Sequence, residues 1–164
     1  MKFLRHFQTE IEPETPSSEW NLSEEGQKES RDFVEENSFD VKKVYTSTEP
    51  KAVETAEKIA EKANAELVKT DLLCEVDRSE EGFVEDHDRY IELVEDYLSG
   101  GSEADWRSQE YVKQRFQKFI EKSEENSIAV THGLFLSLNI PDKDKIEYWK
   151  NLEFGETINY RIDS

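Results

Sequence analysis

The sequence predicts an α/β fold in three layers, a mostly parallel sheet flanked by helices, and three observations carry that reading. Short β-rich runs alternate with segments of helical periodicity along the chain, the pattern that places helices on the faces of a sheet. The 164 residues are the size of one ordinary domain, and 1–164 are read as one. Three Trp, six Tyr and nine Phe supply bulky apolar surface for a core, although 37% of the residues are charged.

Met1–Arg5 opens the chain as a short strand, and Gln8–Trp20, with Pro13, Pro16, Ser17 and Ser18, reads as a loop. A helix starts after Ser23, whose hydroxyl suits an N-cap, with Glu24 and Glu25 in the positive first turn; it runs to about Asn37. Val41–Thr46 is a second strand. Pro50 then opens a helix whose apolar positions are Ala52, Ala56, Ile59 and Ala60. Ala65–Leu73 offers a third short strand. Helical spacing returns at Tyr90, Leu93, Val94, Tyr97 and Leu98 and, past the break at Gly100 and Gly101, at Val112, Arg115, Phe116, Phe119 and Ile120. Ser127–Thr131 is a clear strand, Leu134–Leu138 an apolar segment behind Gly133, and Glu156–Ile162 a closing strand.

Charge narrows the function classes. Twenty-one basic residues face 39 acidic ones, a formal net charge of -18. Such a surface repels nucleic acid and anionic membranes, so neither is expected as a partner. No stretch approaches the roughly 20 apolar residues that span a bilayer, and Met1–Phe7 is too short for a secretory signal. Cys74 is the single cysteine, which rules out an internal disulfide. A cytoplasmic protein is the expectation. Any anion site must be a local basic pocket set against the overall field.

In sheets of this kind ligands sit at the carboxyl ends of the strands. Three of those ends carry capable groups: Arg5-His6, the run Thr46-Ser47-Thr48-Glu49-Pro50-Lys51, and Thr131-His132-Gly133. Two of the three histidines thus share one predicted sheet edge. Imidazole can act as nucleophile, base or neutral ligand near pH 7, and arginine offers a planar fork for phosphate oxygens. Taken singly, an Arg-His pair is an ordinary solvated feature and a His-Gly pair an ordinary turn. Placed together they mark a site, but spacing alone names no reaction.

The motifs add a resemblance. Leu4-Arg5-His6-Phe7 resembles the arginine–histidine–glycine opening of the histidine phosphatase superfamily, also called phosphoglycerate mutase-like. Leu22–Gln27 is similar to the segment that starts that family's first helix. Tyr45–Thr48 through Glu54–Glu57 is similar to its second strand and following helix. Leu73-Cys74-Glu75 resembles its leucine–x–glutamate, Val130–Gly133 its second histidine motif, and Gly155–Tyr160 its closing strand. The segments come in family order, and only Phe83–Glu125 has no counterpart; it is expected to form a helical lid over the pocket.

The resemblance implies covalent phosphoryl transfer: His6 attacks phosphorus, and water hydrolyses the phosphohistidine. Arg5, Lys51, His132 and Thr9 would hold the phosphoryl oxygens, with Arg5 and His132 also catalytic, and Glu75 would move the proton. No metal and no organic cofactor is implied. The expected function is a phosphatase for a small phosphorylated compound. A phosphohistidine-protein phosphatase, a phosphoglycerate mutase-type enzyme and a non-catalytic phosphate-binding module are the alternatives; mutases of the family are normally longer.

Two positions depart from the pattern. Phe7 stands where glycine usually follows the nucleophile, and is expected to line the substrate mouth. Lys51 stands where an arginine usually clamps phosphate; it keeps the charge and loses the fork. Asp77, Glu80 and Glu81 are acidic rivals of Glu75, with Leu73 favouring Glu75. His87 reads as part of an exposed helical turn, Cys74 as a buried filler and Trp106 and Trp149 as packing residues. Gln8 is a loop cap or a substrate donor, and Gln109, Arg115 and Lys118 are surface residues.

Overall fold

Residues 1–163 of the computed structural model build one sheet from the strands Lys2–Arg5 (β1), Lys43–Thr46 (β2), Glu66–Lys69 (β3), Ser127–Thr131 (β4) and Thr157–Asn159 (β5), in the order β3-β2-β4-β1-β5. All neighbours are parallel except β5, which closes one edge antiparallel to β1. Side-chain alternation along the strands sorts the core into two halves. Phe3, Tyr45 and Ala129 face one side; Leu4, Val44, Ile128 and Val130 face the other. Central β4 is buried along its whole length, as a parallel strand covered on both faces should be.

Helices Glu24–Glu36 (α1) and Pro50–Ala63 (α2) cover the second side, α2 through Ala52, Ala56, Ile59 and Ala60 and α1 through Phe33 and Val34. The first side is covered by His87–Leu98 (α3), Gln109–Lys122 (α4), Gly133–Asn139 (α5) and Lys145–Asn151 (α6). Leu93, Val94, Tyr97, Val112, Phe116 and Phe119 from α3 and α4 join Phe3 there. Each such side chain contributes about 1.5–3 kcal/mol on burial.

Local chemistry sets the boundaries. Ser23 caps α1 by accepting from the Gly26 N–H at 3.0 Å, and Pro50 opens α2 where its missing donor costs nothing. β3 is shorter than the sequence suggests. Thr70 accepts from Leu72 N and turns the chain into a 3-10 turn at Asp71–Leu73. β5 likewise spans three residues of the expected seven. Helix α6 was not anticipated; seven residues are too few for a readable apolar period. Among the described residues no helix is long and apolar enough to cross a membrane.

Phe7 does not line a mouth. It is buried, packs on Phe33 at a centroid distance of 5.6 Å, and adopts no positive φ. A side chain at this position therefore costs no backbone strain.

Candidate active site

The edge at the carboxyl ends of β1, β2 and β4 is extended by one residue on each strand. His6 N–H donates to Thr131 O at 3.1 Å, and Ser47 N–H donates to Val130 O at 3.2 Å. These ladder bonds fix three side chains side by side: His6 after β1, Ser47 after β2 and His132 after β4. The rings of His6 and His132 lie 5.0 Å apart. Both are buried.

The hydrogen bond on His6 decides its tautomer. Nδ1 lies 2.7 Å from the Phe7 carbonyl oxygen, which can only accept, so Nδ1 carries the hydrogen and Nε2 keeps its lone pair. Burial, with Lys51 and Arg5 close by, pulls the imidazole down to about 3. The ring is therefore uncharged near neutrality. His132 is held well below the usual range by burial and by His6, Lys51, Arg78 and Arg5. Its Nε2 lies 2.6 Å from Ser47 Oγ and 3.1 Å from Glu49 Oε2. Ser47 Oγ also accepts from Glu49 N at 3.3 Å.

Cations surround this pair. Arg5 lies over Phe154, donates to Leu152 O, and passes 3.2 Å from where a Cβ at Gly133 would stand; glycine after His132 lets the guanidinium approach. Lys51, on the first turn of α2, is 4% exposed. Its Nζ donates to Ser17 O at 2.6 Å and lies 3.5 Å from Glu49 Oε1, with Trp20 alongside. Burial lowers the ammonium against the pull of Glu49. Of the five buried side-chain polar atoms without a hydrogen-bond partner among the described residues, two belong to this site, Arg5 Nε and His132 Nδ1. Buried polar groups are normally satisfied, and these two are left for a bound molecule to meet.

Glu75 reaches the site by another route. Its Oε2 accepts from Leu134 N at 2.9 Å, and its Oε1 accepts from Phe135 N at 2.7 Å and Val76 N at 2.9 Å. The carboxylate thus caps α5, whose N-terminal His132 provides no side-chain cap. Thr9 is held on the following loop by its bridge to Leu22; the contacts uniting Arg5, His6, Lys51, Glu75 and His132 do not extend to it. Gln8 accepts from Ser23 Oγ at 3.1 Å and so belongs to the cap of α1.

Sequence reasoning missed several neighbours. Ser47 and Glu49 lie on the turn already singled out at the end of β2, so the strand-edge rule had reached them without assigning a role. Arg78 carried no such signal, being one base in an acidic loop. It donates to Tyr90 Oη and, at 3.1 Å, to Ser17 Oγ, the residue whose carbonyl holds Lys51. Arg115 is not a surface residue. It is half-buried over Phe135 and donates to Cys74 O at 2.8 Å, Asp71 O at 3.0 Å and Glu75 O at 3.3 Å, fixing the segment that carries Glu75. Cys74 is half-buried with its sulfur 3.2 Å from Thr48 Oγ1. Among the described residues no three His, Cys, Asp or Glu side chains converge as a metal site.

Known proteins share this arrangement of chain. A solved phosphoglycerate mutase from Bacillus anthracis str. Sterne is 17% identical with a TM-score of 0.72, covering 100% of this chain and 92% of that one. A phosphoserine phosphatase from Entamoeba histolytica, solved with 3-phosphoglyceric acid, is 17% identical with a TM-score of 0.71, covering 95% and 87%. A mycobacterial glucosyl-3-phosphoglycerate phosphatase is 13% identical with a TM-score of 0.67, covering 96% and 87%. No curated protein sequence is a significant match. At these identities the structures establish the fold. The sequence itself matches the model of the histidine phosphatase superfamily (branch 1) over residues 1–154, from the strand bearing His6 past the turn bearing His132, and the chain therefore belongs to that superfamily.

Proposed function

We propose that this protein is a phosphatase that hydrolyses a small phosphorylated compound, with His6 receiving the phosphoryl group before water does. One observation carries the reading: an uncharged His6, its Nδ1 hydrogen committed to Phe7 O, beside the unpartnered Arg5 Nε and His132 Nδ1. A lone pair on Nε2 is what an attack on phosphorus requires. Charge in the transition state spreads over the three phosphoryl oxygens, and fixed donors are then worth most. Arg5, His132 and Lys51 supply them. Thr9, one bridge removed, can contribute once a substrate extends toward the loop. Glu75 sits in the family's acid position and Glu49 one hydrogen bond away, so a carboxyl is available to protonate the leaving oxygen. These steps use side chains alone and call for no metal or organic cofactor.

The similar phosphatases are described as acting on glucosyl-3-phosphoglycerate and phosphoserine. Both are small phosphorylated compounds, and a small substrate fits a site whose cations Arg5, Lys51 and Arg78 are buried or half-buried within a strongly acidic chain. The 83–125 segment walls this region through Tyr90 and Trp106 against Arg78.

The test is p-nitrophenyl phosphate supplied between pH 5 and 8 to the protein and to His6→Ala. The parent should release nitrophenol and carry an acid-labile phosphoryl label; the variant should do neither. Turnover surviving in His6→Ala overturns the reading, and phosphate binding without turnover in either protein assigns a binding module instead.

A further inference from the structure

We infer that Arg78 holds a carboxylate on the leaving group, so that the substrate is a small phosphate monoester whose alcohol also carries an acid. The inference rests on the phosphatase reading above and names the substrate class of that same site.

Arg78 is a half-buried cation without an acid to neutralise it. Its hydrogen bonds go to two neutral hydroxyls, from Nη1 to Tyr90 Oη and from Nη2 to Ser17 Oγ at 3.1 Å. Among the described residues it forms no ion pair. In a chain of 39 acidic and 21 basic residues that is a departure, because charge taken out of water is normally paired. The acids of the site are committed elsewhere. Glu75 accepts from the backbone N–H groups of Leu134, Phe135 and Val76. Glu49 accepts from Glu75 N and lies beside Lys51 and His132. A guanidinium carries five N–H donors in a planar fork, and on Arg78 two are engaged among the described residues.

Its neighbours fix where it stands. The guanidinium carbon lies 5.6 Å from the Tyr90 ring centroid and 5.8 Å from that of Trp106, within cation–π range. Trp106 is itself buried with Nε1 unpartnered among the described residues. An unpaired cation and an unmet N–H donor thus share one aromatic cluster. Toward the two histidines the link is Ser17, whose hydroxyl takes Arg78 and whose carbonyl takes Lys51 Nζ at 2.6 Å. Lys51 and Arg78 are therefore separated by the width of a single residue. With Lys51 on the phosphoryl oxygens, Arg78 stands where the alcohol part of a small monoester ends. Its charge is felt in the site: behind burial, it adds to what lowers His132 and Lys51. A carboxylate is the planar anion that one guanidinium fork matches, and its single charge is what one unpaired cation balances. A second phosphate would bring up to about two negative charges into a chain already at -18.

The experiment uses isosteric pairs in which a carboxylate replaces a methyl group: phosphoglycolate against ethyl phosphate, and 3-phosphooxypropionate against propyl phosphate. The parent should favour the carboxylate member of at least one pair by about 10- to 100-fold in kcat/KM. Arg78→Met should remove that preference, chiefly through KM, and should slow p-nitrophenyl phosphate and the neutral members by one small common factor. Arg78→Lys keeps the charge without the fork and should cut the preference without abolishing it, which also covers a folding failure of the methionine variant. The inference is overturned if the parent shows no carboxylate preference in either pair, or if the preference survives undiminished in either variant. It is also overturned if the parent prefers propanediol bisphosphate to 3-phosphooxypropionate and loses that preference with Arg78. Each of these outcomes leaves the phosphatase reading standing while p-nitrophenyl phosphate is turned over through His6; turnover in His6→Ala breaks that reading instead.

Discussion

Phe7 and Gly155 fit against each other: a Cβ at Gly155 would overlap the Phe7 ring, and Gly155 itself has φ +73°. The glycine also bonds the end of β1, its N–H donating to Arg5 O at 3.0 Å and His6 O at 3.3 Å. The bulky residue after His6 is therefore accommodated by a bare backbone on the β5 side, and it anchors the loop bearing His6 to Phe33 of α1. Phe7→Ala should cost about 3 kcal/mol of unfolding free energy. Gly155→Ala, strained in φ and in space, should cost at least about 2 kcal/mol. Urea denaturation measures both, and a Phe7→Ala protein as stable as the parent would place the ring outside the core.

Much of this site was legible because strand pattern alone locates a sheet edge. His6, Lys51 and His132 follow β-rich runs, and those runs needed no tertiary information. Phe7 was misjudged because its partners, Phe33 and Gly155, come from distant segments, and nothing local states which way a ring turns. Arg115 was within reach. It stands three residues after Val112 and four before Phe119, on the buried stripe of α4, where a long side chain can lay its stem on apolar surface and reach the carbonyls beyond. Arg78 and the capping role of Glu75 depend on contacts between loops and helix ends, which carry no periodicity.

Lys51 is proposed as a phosphate clamp with an ammonium in place of the guanidinium that the family resemblance implies. Its Nζ is oriented by Ser17 O and Trp20, so the charge is aimed although the fork is missing. Lys51→Met should weaken vanadate binding about 100-fold, the loss of roughly 3 kcal/mol expected for a buried charge-assisted hydrogen bond. Isothermal titration with vanadate reads this directly. Unchanged affinity would move the phosphate away from α2.

Arg115 ties α4 to three carbonyls of the 71–75 segment, and through that segment to Glu75. Arg115→Met keeps most of the apolar stem and removes those donors. We expect a stability loss of about 2 kcal/mol and faster amide exchange at Leu134 and Phe135, whose N–H groups the Glu75 carboxylate holds. Exchange at those two amides is the informative readout, because a loss confined to α4 would leave them protected.

The two buried histidines make the fold acid-sensitive in a definite window. Free histidine titrates near 6.5, whereas His6 is pulled down to about 3 and His132 well below its usual range, both chiefly by burial. Between those limits the unfolded chain binds protons that the folded chain refuses, so stability is fully present above pH 6.5 and falls as the pH drops toward 3. Each histidine contributes a slope of up to roughly 1.4 kcal/mol per pH unit across that span. Glu49 opposes the trend near the acid end, because its raised carboxyl takes up a proton in the folded state before the unfolded one does. Urea midpoints taken from pH 7 to pH 5 should therefore decline, and His6→Asn combined with His132→Asn should flatten the decline. A double variant with the parent's slope would show that both rings are already accessible to protons in the folded protein.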